Sequence, residues 1–401
     1  MTELAARTHD VDGGAHQTVR QVVEWAAGAD IPAGTTGVVA VDVGQIRTNW
    51  RALAKRVAPA GCAAVVKADA YGLGAARIIP ALYQAGCRSF FVATLGEAVA
   101  ARASAPGATI YVLDGILPGS VSDLAAIGAR PVMTSLEEAR AWSTLARDDA
   151  PAPPAALHVD TGLNRLGMSE ARLDALLADR DLLDRLDIAL VMSHLACADD
   201  AKHPMNAEQL ATFRTRCARL PKARASLAAS DGLMLGKDYH FDLVRPGYAL
   251  YGGQATPQRI CPVAPVVRVS ARILQVEDVQ AGARIGYSAT YRAQAPRRIA
   301  TIAAGYADGI FRHASASDGE QNGMVSIRGR LAPVVGRVSM DLITVDISDL
   351  GDPAPQRGDF VDLIGPDLPL EAVGLNARTI GYEVLTRIGA RFHRHYIDSG
   401  N

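Results

Sequence analysis

At 401 residues the chain is longer than one average domain, so one large or two medium domains are expected. Its composition is 49% hydrophobic and 21% charged with a net charge of −1, which is ordinary for a globular protein and offers no electrostatic footprint for nucleic acid or for an anionic membrane. Five scattered cysteines (Cys62, Cys87, Cys197, Cys217, Cys261) form no CxxC pair and suit free thiols in a reducing compartment. With no apolar signal stretch at the N-terminus and no membrane-length apolar run, the cytoplasm is the expected location, with small molecules or other protein chains as partners.

Residues 1–37 read as an N-terminal extension. Val19, Val22, Val23 and Ala26 follow the spacing of a short amphipathic helix, flanked by GG and PAGTTG, which are loop chemistry. From Val38 short β-rich runs alternate with helical ones. The strand candidates are VVAVDV (38–43), AAVVK (63–67), FFVAT (90–94), TIYVLD (109–114), RPVM (130–133), ALHVD (156–160), ALVMSH (189–194), ASLAAS (225–230) and FDLVR (241–245). Helical stretches such as QIRTNWRALAKRV (45–57) and ARIIPALYQAG (76–86) lie between them. Apolar strands alternating with helices predict a parallel sheet, and about eight such units fit a (β/α)₈ TIM-type barrel over residues 38–265. Nine candidates compete for eight places, so one strand, the first, is expected to belong elsewhere.

Beyond Pro265 strands follow one another without crossover helices: 266–276, 297–305, 324–330, 332–347 and 359–365. Residues 266–401 therefore read as a C-terminal β-rich domain. The spacing predicts one late helix, over 377–392 (ARTIGYEVLTRIGARF).

The sharpest chemical signal is VVKADAYGLG (65–74), a lysine at the C-terminal end of a strand followed by a tyrosine and two glycines. Barrel active sites sit at such strand ends, and a desolvated lysine there can form a Schiff base with a carbonyl cofactor. A lone lysine in that place is ordinarily a surface group, but Lys67 has company. His194, Ser230 and Arg245 also end predicted strands and Arg165 lies just past another, so a barrel would gather all five at one mouth.

The chain resembles the alanine racemase family, pyridoxal-phosphate enzymes of barrel fold type III, from about residue 38 to its C-terminus. VVKADAYGLG, VDTGLNRLGM (159–168), SHLACADD (193–200), VRPGYALYG (244–252), GYSATYRA (286–293), GYADG (305–309) and GRVSMDL (336–342) carry the resemblance, in order. It implies a cytoplasmic homodimer interconverting L- and D-alanine on pyridoxal 5′-phosphate, for cell-wall synthesis or alanine catabolism. Lys67 would bear the cofactor and act as one catalytic base, and Tyr287, from the partner chain, as the other. Tyr71, Ser230, Gly247 and Tyr248 match positions that hold the cofactor phosphate. His194 matches a residue packed on the ring and bonded toward Arg245, which faces the ring nitrogen. An arginine can donate there but does not give up its proton, which leaves the ring a weaker electron sink. Arg165 matches a contact to cofactor and substrate carboxylate, Met340 a substrate contact from the partner, and Tyr306, Asp199 and Arg337 the narrow entrance.

Tyrosine is a poor base at neutral pH, so the phenolate of Tyr287 needs support, for which His194 with Arg245 is the expected source. Three positions depart from the family. His158 stands where a carbamylated lysine often anchors the arginine at 165. Ala229 replaces an asparagine, and Ala390 a tyrosine near the phosphate. Neither His393 with His395 nor His194 with Asp199 and Asp200 has convincing metal-ligand geometry, so no metal is expected. Two enzymatic alternatives remain: a decarboxylase of basic amino acids, whose GGG phosphate loop is absent, and a racemase of broader specificity. A non-catalytic carrier of the cofactor would lack the second domain with Tyr287 and Met340.

Overall fold

The computed structural model describes residues 31–254 and 261–399. The short helix expected from Val19 to Ala26 lies outside the described residues. The chain divides into two compact units, one of Asp42–Val263 with Ile380–Thr386 and Ile397–Asn401, the other of Met1–Val41 with Ala264–Thr379 and Arg387–Tyr396. No helix among the described residues is long and apolar enough to cross a membrane.

Strand β1 (Gly37–Asp42) is the surplus candidate, and it pairs antiparallel with β11 (Val267–Val279) of the second unit. In the first unit, β2 (Gly61–Cys62) and β3 (Ala64–Val65) run in line. They are followed by β4 (Ser89–Val92), β5 (Thr109–Val112), β6 (Arg130–Met133) and β7 (Ala155–His158). Then come β8 (Ile188–Met192), β9 (Arg224–Ser226) and β10 (Leu243–Val244). Strands β3 to β9 form one parallel sheet in chain order, and β10 pairs in parallel with β2. Backbone bonds close the ring: Asp242 and Arg245 N–H donate to Ala225 and Ala228 O (3.0 and 2.9 Å), and Ala63 and Val65 N–H to Val244 and Pro246 O (2.9 Å each). The result is a closed barrel.

Both faces of these strands are covered, which is why they read as continuous apolar runs rather than alternating ones. Phe90, Phe91 and Tyr111 are fully buried in the wall, the last two stacked at 4.6 Å. Helices start where a Ser, Thr or Asp follows a strand. Asp42 caps Val43–Val57, Thr94 caps Leu95–Ser104, and Ser135 caps Leu136–Ser143.

The second unit is built on an eight-stranded sheet. Besides β1 and β11 it contains β14 (Arg297–Ile302), β15 (Met324–Ile327), β16 (Arg330–Val335), β17 (Ile343–Asp346), β18 (Phe360–Ile364) and β19 (His393–Ile397). A small ribbon, β12 (Arg284–Ile285) with β13 (Tyr291–Arg292), stands beside it. The late helix is shorter than expected, running only over Gly381–Thr386. Gly389 N–H bonds to Asp308 O at 2.9 Å, and the chain then enters β19, so the segment 387–392 serves the second unit instead of extending the helix.

Asp362 of β18 is the ionic anchor of this sheet. It accepts from Arg268 Nε and Nη2 at 2.7 and 2.8 Å and from Ser270 Oγ at 2.6 Å, with both charged side chains nearly buried. Asp362→Ala removes one member of a buried pair and is expected to cost roughly 3–5 kcal/mol. Denaturant unfolding checks this; an unchanged midpoint would contradict the assignment.

Candidate active site

Lys67 follows directly on Val66, just past the C-terminal end of β3, and is half-buried. Burial, reinforced by the charge of Arg165, lowers its ammonium pKa; Asp114 and Glu97 oppose that more weakly. This is the direction that favours a free amine. The next four residues, Ala68, Asp69, Ala70 and Tyr71, all take positive φ of 52 to 58°. A left-handed turn of non-glycine residues costs roughly 1–2 kcal/mol each, and such strain persists only where surroundings impose it. Here they do. Ala68 N–H donates to Glu97 Oε1 and Ala75 N–H to Asp69 Oδ1, both at 2.7 Å, and a Cβ on Gly72 would lie 2.8 Å from Leu385 O.

Arg245, at the end of β10, is buried. Its guanidinium donates to Ser226 Oγ (2.6 Å), Ser193 O (2.7 Å) and Leu227 O (3.4 Å), tying together the ends of β8 and β9. No carboxylate is among its partners in the described residues, and burial pushes its pKa down to about 10. The bond expected between His194 and Arg245 is not formed; both Nη groups turn instead to carbonyl and hydroxyl oxygens, and Nε bonds to no described residue. His194 is instead held through its backbone, its carbonyl accepting from Gln209 Nε2 at 3.0 Å. Burial and the neighbouring Arg245 depress both His194 (to about 3) and His158 (to about 4), so both rings are neutral near pH 7.

Ser230 Oγ accepts from Gly247 N–H (3.0 Å) and Ala249 N–H (3.2 Å). That leaves its own hydroxyl proton to donate outward. Tyr71 Oη lies against the same loop, for a Cβ on Gly247 would sit 2.3 Å from it. Tyr248 is buried behind, stacked at 3.9 Å on Tyr382, whose hydroxyl donates to Asp231 at 3.1 Å. Hydroxyl donors gathered beside a glycine that must stay small suit a phosphate group.

Arg165 is exposed on the turn after β7, and its guanidinium bonds to no described residue. The turn itself is well anchored. Asp160 Oδ1 accepts from Gly162 and Asn164 N–H (3.1 Å each), and Met168 N–H reaches His158 O at 2.8 Å. Gly167 is needed beside His158, whose Cδ2 would be 3.0 Å from a Cβ there. His158 thus packs under the turn rather than reaching Arg165. Asp199 is exposed beyond β8.

The remaining candidates belong to the second unit, where they form one patch. Tyr287, Tyr306 and Met340 are 72%, 43% and 54% exposed. Arg337 Nη1 donates to Ser288 Oγ at 2.9 Å, next to Tyr287, while Tyr306 and Ala307 N–H donate to Ser339 and Met340 O at 3.0 Å. Arg391 forks onto buried Asp308 (2.7 Å twice) and onto Asp341 (2.6 Å), fixing the two loops together. Ala390 is its neighbour.

Three side chains that build the barrel site carry no catalytic signature in the sequence. Glu97 lies in a Thr-x-x-Glu capping box, a pattern that announces a helix start. Gln209 is wholly buried and joins Thr161 Oγ1, His194 O and Ala196 N–H, yet it reads as one polar residue on an amphipathic helix. Tyr382 lies far along the chain from Tyr71, 6.3 Å from it ring to ring.

The family model described as alanine racemase, N-terminal domain, matches residues 41–255, and the one described as alanine racemase, C-terminal domain, matches 266–396. The alanine racemase of Brucella abortus (strain 2308) is 46% identical over 382 residues, 92% of this chain and 95% of that protein. That of Methylobacterium nodulans is 47% identical over 361 residues, 90% of this chain and 96% of that one. Among solved structures, alanine racemase from Bartonella henselae with covalently bound pyridoxal phosphate superposes with a TM-score of 0.86 at 43% identity, covering 91% of this chain and 100% of that one. The biosynthetic enzyme of Pseudomonas aeruginosa gives 0.83 at 34% identity, covering 90% and 99%. With both of its domains matched and relatives this similar along nearly their whole length, the chain belongs to the alanine racemase family.

Proposed function

We propose that this protein interconverts L- and D-alanine with pyridoxal phosphate bound at Lys67, as a cytoplasmic homodimer whose two sites each draw on both chains. The observation that carries the reading is a half-buried lysine of lowered pKa at a barrel mouth that also presents a phosphate cradle and a buried arginine.

The residues fit the cofactor. Ser230, Tyr71 and the backbone at Gly247 and Tyr248 would hold its phosphate, His194 would lie against its ring, and Arg245 would face its nitrogen. When bound, the cofactor supplies an electron sink that acidifies the substrate α-C–H. Arg245 limits that sink. Even with its pKa pushed down to about 10, the guanidinium keeps its proton by about a thousand to one at pH 7, so it donates a hydrogen bond without transferring the proton. Lys67 Nζ takes or returns the α-proton on one face, as its depressed pKa allows. Tyr287 Oη of the partner subunit serves the other face. Arg165 receives the substrate carboxylate. Among the described residues its guanidinium has no partner, which keeps its donors available, while Asp160 holds the turn. Met340 adds a backbone contact from the partner, and Tyr306, Arg337 and Asp199 narrow the approach. The exposed aromatic patch around Tyr287 supports the shared site, since apolar rings left in water on one unit ask for a covering surface.

Two experiments test this reading. Purified protein treated with borohydride is expected to retain cofactor covalently, and Lys67→Ala to retain none. Cofactor still attached in that variant would overturn the assignment. Racemisation of L-alanine, L-serine and L-lysine measured alongside defines the substrate range.

Sharing of sites is tested by mixing. Lys67→Ala and Tyr287→Phe are each expected to be inactive. A mixed dimer carrying one of each has one site with both bases and one with neither, so activity should return to about half of wild type. A folded, cofactor-loaded mixed dimer that stays at the background of its parents would refute sharing.

A further inference from the structure

We propose that Glu97 is a positioning residue for Lys67: its carboxylate clamps the peptide that follows the lysine to the end of β4, and so fixes the direction in which the lysine side chain leaves the barrel wall. The proposal rests on the reading of Lys67 as the cofactor-bearing residue.

The geometry divides the two carboxylate oxygens between different jobs. Oε2 accepts from Ala93 N–H at 2.7 Å and, more weakly, from Thr94 N–H at 3.4 Å, while Thr94 Oγ1 accepts from Glu97 N–H at 3.2 Å. That half is a capping box and needs nothing beyond the helix start. Oε1 leaves the helix altogether and takes Ala68 N–H at 2.7 Å, a residue 29 positions away and adjacent to Lys67. Both bonds are charge-assisted and short, the stronger class of hydrogen bond.

Ala68 is also where the left-handed turn begins. The far end of that turn has other anchors, in Asp69 bonded to Ala75 N–H and in Gly72 pressed against Leu385 O. Its near end is held by Ala70 N–H returning to Val66 O at 3.0 Å and by Glu97. Without the carboxylate, the first peptide after Lys67 loses the contact that ties it to a neighbouring strand. A shift of about an ångström at a reacting group is enough to cost up to about a hundredfold in rate.

The barrel supplies its own control. Glu138 makes the same kind of brace between other strands, accepting from Thr134 N–H at 2.5 Å and Ile116 N–H at 3.2 Å, and it is not among the charges acting on Lys67. Glu97 differs from it in a second respect, being one of two carboxylates, with Asp114, that favour the charged form of Lys67 against burial and Arg165. His194, on which the Lys67 charge acts, is itself kept neutral by burial.

The test follows covalent capture of pyridoxal phosphate by cofactor-free protein as a function of pH, with borohydride trapping. Glu97→Gln is nearly isosteric but cannot accept both N–H groups as a carboxylate does. Its capture rate on the high-pH plateau is expected to fall about tenfold. The pH midpoint should also move down, because a negative charge near the ammonium is gone. Glu138→Gln should keep the wild-type plateau and midpoint, whatever it costs in melting temperature. Glu97→Asp keeps the charge on a shorter arm, so its plateau should fall while its midpoint stays; it serves if Glu97→Gln fails to fold. A wild-type plateau in either Glu97 variant, or an equal fall in Glu138→Gln, would overturn the proposal. If wild-type protein captures no cofactor at Lys67, the functional reading fails first, and this one with it.

Discussion

A guanidinium buried without a carboxylate is the constraint on which the barrel site depends. Arg245 donates three hydrogen bonds to the oxygens of Ser193, Ser226 and Leu227 at the ends of β8 and β9. A buried cation in that setting is costly unless its donors are satisfied, so these strand ends are held to the arrangement that satisfies them. Burial, reinforced by the same charge, keeps His194 and His158 neutral. Arg245 also keeps a protonated donor at the barrel mouth near pH 7. One residue thereby shapes the geometry, the electrostatics and the chemistry of the barrel mouth.

Around that fixed charge the loops are secured by side chains that are not themselves reactive. Glu97 braces the ends of β3 and β4, Glu138 the loop after β5 with the end of β6, and Gln209 the ends of β7 and β8. Each projects from a helix that follows a barrel strand and satisfies backbone N–H or C=O groups that the closing sheet leaves open. Loops otherwise free to move are given unique positions in this way. The turn after Lys67, held left-handed over four residues, is the most demanding case.

The β-rich unit solves a different problem. Its patch of Tyr287, Tyr306 and Met340 keeps large apolar groups in water, while the loops that carry them are locked by Arg391 on Asp308 and Asp341. Gly305 permits this, since a Cβ there would fall 2.3 Å from Met340 O. Rigid loops presenting exposed rings are what the proposed contact with a partner chain would require.

Much of this was legible along the chain. The alternation of apolar runs with amphipathic helices determines a parallel barrel, because strands covered on both faces have no polar side to show. The loss of that alternation after Pro265 determines the β-rich unit. Lys67, His194, Ser230 and Arg245 were legible as candidates because each ends a predicted strand, whereas Gly247 was marked only by its resemblance to the family. What pairs over long distances was not. That β1 joins β11, that 381–386 groups with the barrel, and that Tyr382 stacks on Tyr248 depend on contacts between segments remote in sequence. So does the second role of Glu97, whose capping box looks the same whether or not its free oxygen finds Ala68. The bond expected between His194 and Arg245 was lost for the same reason. Local pattern records which groups a residue can bond, but the closed barrel decides which oxygens reach a buried guanidinium first.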